Sequence, residues 1–253
     1  MLSVAQTENI PQPERRYDKR LAIVVPYRDR AAHLTSFLPH VLAYFERDKL
    51  DRQIDVSIHL VEPAGRGPFN RGMVKNCGYM LARDSADYVC FHDVDYLPIW
   101  ADYSWSPQPA RLIWHGLRLK ENWLRFFGGV VLCDNEAFER ANGYPNSYWG
   151  WGPEDLELGL RFDLIGLGID RRDGTYMALP HEDPGFVAPG IHSDEARRTH
   201  GVWTRRRENL AAGMATDGLS GLKFKPLQRR QVACESKGSP PVTHHVVDLG
   251  EVG

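Results

Sequence analysis

Two carboxylates one residue apart close an apolar run in Phe91-His92-Asp93-Val94-Asp95, and Tyr96-Leu97-Pro98 ends the segment. Hard oxygen ligands at this spacing suit Mg²⁺ or Mn²⁺ held against a diphosphate. The D-x-D pattern is common in solvated turns, and it gains weight here from the apolar strand before it. A second acidic pair ends Trp149-Gly-Trp-Gly-Pro-Glu154-Asp155, a run poorly suited to helix or strand. Glycine lets the backbone pass close to a ligand, and an indole offers a flat face for a sugar ring. Asp155 falls in the first turn of the next helix, where the helix dipole favours an ionised carboxylate. Such a group beside a stacking tryptophan is suited to deprotonate a hydroxyl as general base, although packing alone also accounts for a tryptophan pair. Pro26-Tyr27-Arg28-Asp29-Arg30 and Phe69-Asn70-Arg71 each join arginine to an aromatic, fit to stack a base and fork onto phosphates. His181, in Pro180-His-Glu-Asp-Pro184, can act as a metal ligand or as a plain polar loop residue, and His244-His245 has no partner evident in the sequence.

These residues need a frame. Leu21-Ala-Ile-Val-Val25, ended by Pro26, reads as a strand buried on both faces. Leu34, Phe37, Leu38, Val41, Leu42 and Phe45 follow helical spacing between Ala31 and Leu50. Strands are predicted over Ile54 to Val61 and Tyr88 to Phe91, with a helix over Lys75 to Leu81 between them. Strand, helix, strand, helix, strand argues for right-handed crossovers and a doubly wound α/β sheet that binds ligands at its strands' C-terminal ends. Beyond it, a strand over Phe126 to Leu132, a helix over Glu154 to Leu164 and a last strand over Val242 to Leu249 are predicted. Residues 1–20 read as a flexible tail and 21–253 as one domain.

The chain has 253 residues, 42% hydrophobic and 25% charged, with a net charge of −2. That is ordinary globular composition, with no global field for nucleic acid. Arg197 to Arg230 holds nine Lys/Arg against two acids, a solvated face or a patch for an anionic membrane surface. Without aromatic interleaving it is a poor nucleic-acid site. No run of ~18 apolar residues and no signal-peptide core is present. The four cysteines form no C-x-x-C pair, and three of them, flanked by apolar residues, read as buried, reduced thiols, so a soluble, cytoplasmic protein is expected.

In order and type, these segments resemble the beta-1,4-galactosyltransferase family. The likeness runs through Pro26-Tyr-Arg-Asp-Arg30, Phe69-Asn-Arg71, His92-Asp-Val-Asp-Tyr-Leu-Pro98, Phe127-Gly-Gly-Val130, Tyr148-Trp-Gly-Trp-Gly-Pro-Glu-Asp155 and Thr216-Asp-Gly-Leu219. The His-Asp-Val-Asp segment is most similar to the branch acting on xylose of the proteoglycan linker, and the absence of an anchor suggests either a bacterial-type soluble homologue or a trimmed piece of a longer protein. The resemblance implies a single glycosyltransferase-A-type α/β domain with a parallel-rich mixed sheet. It also implies Mn²⁺, UDP-galactose as donor, a glycan or glycoconjugate acceptor and a beta-1,4 linkage formed with inversion. By matching position, Asp95 is a metal ligand and Val94 lies against the nucleotide. Pro26, Arg28, Arg30, Phe69, Arg71 and Gly129 belong to the donor site. Trp151 covers the donor sugar, Glu154 holds a sugar hydroxyl and Asp155 is the base. Residues His181 to Gly201 have the composition of a lid.

Three positions depart from the family pattern. Leu156 replaces a third consecutive acid, which bears on the acceptor. Phe126 stands where a tyrosine helps select galactose, keeping its bulk without its hydroxyl. His181 matches one metal-ligand histidine, while its companion falls on Ala178, Met177 or Glu182. Transfer of N-acetylgalactosamine on the same scaffold, or a silent carbohydrate-binding homologue, are the alternatives.

Overall fold

Six consecutive buried residues, Leu21 to Pro26, follow an exposed Arg20 in β1 (Arg20–Pro26). The computed structural model describes residues 19–52, 54–113, 115–117, 127–150, 152–180, 203–204, 206–232 and 239–250. Alternate side chains of β1 enter two different cores. Leu21, Ile23 and Val25 pack with Phe37, Val41 and Phe45 of α1 (Ala31–Arg52). Val24 faces Val74 and Cys77 of α2 (Arg71–Ala82) on the opposite side. α2 lies so close to β1 that a Cβ on Gly78 would stand 2.3 Å from Val24 Cγ1, so only glycine fits there. The Asn70 side chain caps α2 by accepting from the Met73 amide.

Eight strands form the main sheet. Its parallel centre is β11 (Val242–Asp248), β2 (Asp55–Pro63), β1 and β3 (Tyr88–His92), in that spatial order. β7 (Val130–Asp134), which leads into α3 (Asn135–Arg140), joins β3 antiparallel, followed by the short β5 (Ala110–Arg111) and β8 (Asp170–Arg171). At the other edge β10 (Lys225–Val232) runs antiparallel to β11, exposed along nearly its whole length and bulged between Pro226 and Gln228. A second sheet orders β4 (Tyr96–Ala101), β9 (Gly174–Ala178) and β6 (His115–Leu117). The expected parallel-rich mixed sheet is therefore present. β1 lies between β2 and β3, so the chain steps to one side of it and then to the other. That reversal opens a crevice at the C-terminal ends of β1 and β3, where the site must lie.

Several boundaries move. Arg20 already belongs to β1, where its main chain and guanidinium bind Asp87; residues 1–18 lie outside the described residues. α2 begins at Arg71, four residues before the apolar spacing shows it. The strand expected from Phe126 begins at Val130, because Gly129 takes a left-handed φ of +78°. Cys77, Cys90 and Cys133 are buried free thiols, as expected. No described helix is long and apolar enough to cross a membrane.

His244 and His245, which the sequence left without partners, have them. His245 Nε2 lies 3.1 Å from His59 Nδ1 with the rings stacked, and Ser57 Oγ holds the other His59 nitrogen at 3.0 Å. His244 Nε2 meets Glu62 Oε2 at 2.8 Å and its Nδ1 accepts from Arg230. Burial lowers His59, His245 and the fully buried His92 to about 4 each, from 6.5. Between those values the unfolded chain binds protons that the folded chain refuses. Stability is therefore full above pH 6.5 and lost as pH falls through 4. A urea midpoint that declines steadily from pH 7 to pH 4.5 is expected; a constant midpoint would show these imidazoles to be charged or exposed.

Candidate active site

Segments far apart in sequence meet at the crevice. Pro26 ends β1, and the next turn hands the Tyr27 amide to the Val61 carbonyl at 2.9 Å. Asp29 then takes a left-handed φ of +52°, a conformation that aspartate tolerates better than most residues. This turn separates Arg28 from Arg30, both half-buried. The Arg28 guanidinium lies 5.0 Å from the centre of the Phe69 ring, so an arginine–aromatic platform joins the two arginine-bearing segments. The Gly150 amide donates to the Phe69 carbonyl at 2.8 Å, bringing the tryptophan-glycine run against the same loop.

The two acidic pairs meet through α2. Arg71, the first residue of that helix, donates through Nη1 to Asp93 Oδ2 at 3.0 Å, through Nε to Glu154 Oε1 at 2.5 Å, and through Nη2 to Asp155 Oδ2. One turn later Lys75 Nζ donates to Asp155 Oδ1 at 2.9 Å and stands 4.0 Å from Asp93 Oδ1. Glu154 and Asp155 open α4 (Glu154–Leu164) and are 3% and 1% exposed, so both carboxylates are anchored by cations rather than solvated. Partial burial opposes the charge on Arg71, but Asp155, Asp93 and Glu154 together hold it well above its ordinary value. Burial raises the carboxyl of Glu154, and the neighbouring Asp155 adds to this against the pull of Arg71.

The D-x-D motif divides. Asp93 is drawn into the ion network, and its backbone amide donates to the Gly129 carbonyl at 2.9 Å, which sets Gly129 against the turn. Val94 is buried in the core. Asp95 is half-buried at the entry to β4, and its carbonyl accepts from the Leu179 amide at 2.7 Å, so the chain leaving β9 passes beside it. Among the described residues no three His, Cys, Asp or Glu side chains group as a metal site. Phe126, Trp151, His181 and the expected lid lie outside the described residues.

A second buried network supports the first. Arg161 and Glu157, both wholly buried on α4, pair at 2.7 Å. Arg161 also donates to the carbonyls of Gly143 and Asp217, and Tyr148 OH donates to Glu157 Oε2 at 2.7 Å. Asp217 accepts from the Asn146 amide, Ser147 Oγ and Arg206. The residues leading into the tryptophan-glycine run are thus fixed from both sides. The sequence reading missed Lys75 and this network, whose partners are brought together only by the fold.

The chain is similar to known proteins in sequence and in fold. Residues 4–104 match a family model described as the N-terminal region of glycosyl transferase group 7, and residues 112–182 one described as the N-terminal domain of galactosyltransferase. Beta-1,4-galactosyltransferase 4 of Rattus norvegicus is 32% identical over 218 residues, covering 83% of this chain and 59% of the relative. Beta-1,4-galactosyltransferase 7 of Drosophila melanogaster is 35% identical over 224 residues, covering 83% and 64%. The chain thus spans about three fifths of the length of these curated relatives. The crystal structure of the catalytic domain of Drosophila beta-1,4-galactosyltransferase 7 with xylobiose superposes with a TM-score of 0.72 at 28% identity, covering 92% of this chain and 95% of that one. A mutant of the Drosophila enzyme, in complex with manganese, UDP-Gal and xylobiose, gives 0.73. The fold is that of a glycosyltransferase-A-type catalytic domain, and the chain belongs to the beta-1,4-galactosyltransferase family.

Proposed function

We propose that this protein transfers galactose from UDP-galactose to a sugar hydroxyl of a glycan or glycoconjugate, with inversion and in a beta-1,4 linkage. The observation that carries this reading is Asp155, a buried carboxylate at the first turn of α4, held by two cations beside the crevice. The names of the relatives support the donor, and the xylobiose complexes of the Drosophila enzyme support a sugar acceptor. Asp155 takes the proton from the acceptor hydroxyl as its oxygen attacks the anomeric carbon and the bond to UDP breaks on the opposite face. Arg28, Arg30 and Phe69 hold the nucleotide and its phosphates, Glu154 and Trp151 the sugars.

A carboxylate and an imidazole are donor types that suit a Mn²⁺ ion. Asp95 offers a carboxylate oxygen, and His181 follows two residues after Leu179, whose amide is bonded to the Asp95 carbonyl. These two residues would hold the metal, which when bound neutralises charge on the departing diphosphate.

The test is to incubate the protein with UDP-galactose, Mn²⁺ and a panel of acceptor sugars that includes xylosides, measuring UDP release and glycosidic product. Galactosylated product that depends on the metal is expected. Preference for UDP-N-acetylgalactosamine would overturn the donor assignment, and sugar binding without turnover would overturn the enzyme. Phe126→Leu should raise the ratio of N-acetylgalactosamine to galactose transfer by opening space at the sugar's 2-position. An unchanged ratio would remove Phe126 from donor choice.

A further inference from the structure

A lysine with 1% exposure stands in the centre of this site, one turn into a helix that otherwise turns Val74 and Cys77 into an apolar core. Burying an ammonium is costly unless it is closely paired, and an apolar side chain of similar length would fill the same space without that cost. Lys75 is paired. Its Nζ bonds Asp155 Oδ1 at 2.9 Å and lies 4.7 Å from the centre of the Tyr144 ring. The charged groups around Asp155 are Lys75 and Arg71 of α2, Glu154 of α4, and Asp93 of the turn after β3.

The two cations are not equivalent. Arg71 is divided among three carboxylates, and its side chain is 28% exposed, so a diphosphate entering the crevice can draw it away. Lys75 is closed off from such an anion and holds the other oxygen of Asp155. We propose that Lys75 is the positioning residue of Asp155: its buried ammonium anchors Oδ1, so that Oδ2 stays aimed at the acceptor hydroxyl when Arg71 turns to the donor. This rests on the reading of Asp155 as the base. Lys75 touches no substrate and acts through that carboxylate alone.

The test uses Lys75→Met and Lys75→Arg in steady-state assays with UDP-galactose, Mn²⁺ and the best acceptor of the panel above. Misplacing a reacting group by ~1 Å costs up to ~10²-fold, so Lys75→Met should lower kcat by ~10–100-fold. The donor KM should stay within about twofold, because a group acting only through the base leaves donor binding alone. In an Asp155→Asn background, Lys75→Met should cost nothing further, since both changes then act on one lost function. Lys75→Arg keeps the charge and should recover part of kcat. Should Lys75→Met fail to fold, Lys75→Arg carries the same test, as a loss of kcat at unchanged donor KM. Wild-type kcat in a folded Lys75→Met variant, a raised donor KM, or full additivity with Asp155→Asn would overturn the proposal. Full turnover in Asp155→Asn alone would instead overturn the base itself, so the two failures are distinct.

Discussion

Asp155→Asn should lose ~10²–10⁴-fold in turnover, the range expected when a positioned general base is removed. The amide keeps the shape of the carboxylate and cannot take a proton. It also cannot accept from both Arg71 and Lys75, because one of its two heavy atoms is now a donor, so one cation is left facing an N–H. A loss of folding stability of ~1–3 kcal/mol should accompany the kinetic effect, the usual cost of an unsatisfied buried group. Donor affinity should change little, since Arg71 is free to turn from position 155 to the diphosphate in either protein. Titration with UDP-galactose and Mn²⁺ beside single-turnover kinetics separates these effects. Donor binding that collapses while the variant stays folded would move Asp155 into the donor site.

Asp95→Ala should abolish Mn²⁺-stimulated turnover, a loss of ~10³-fold or more if the metal supplies several kcal/mol of charge stabilisation. The fold should survive, because the contact that ties the chain leaving β9 to this turn is made by the Asp95 main-chain carbonyl, which alanine retains. Turnover against Mn²⁺ concentration, with thermal melting of the same samples, gives the answer. Full activity in the variant, or undiminished wild-type activity in excess chelator, would take the metal out of the reaction.

How much of this was legible in the sequence depended on whether the signal was local. β1, β2 and β3 are short apolar runs, and burial on both faces makes such runs stand out. α4 announced itself through its acidic first turn. β10 is Lys-Pro-Leu-Gln-Arg-Arg-Gln-Val and exposed, so no hydropathy pattern marks it; its ladder with β11 makes it a strand. β4 and β9 form a sheet across a separation of some eighty residues, with a proline inside β4, and neither carries an alternating pattern. The site divides in the same way. Asp93 and Asp95 are marked by their place after an apolar strand, and Glu154 and Asp155 by the tryptophan-glycine run before them. Lys75 reads as an unremarkable helix former until the fold brings it to Asp155, eighty positions away.

The open side of β10 has a consequence for how copies of this protein meet. Among the described residues β10 is paired only through β11, which leaves a row of main-chain donors and acceptors at the sheet's margin. Such a row is a template for intermolecular strand addition and fibrous aggregation. Lys225, Arg229 and Arg230 line that margin, Pro226 removes one donor, and the bulge beside it breaks the regular register. These three cations and the bulge make self-templating at this edge electrostatically and geometrically unfavourable.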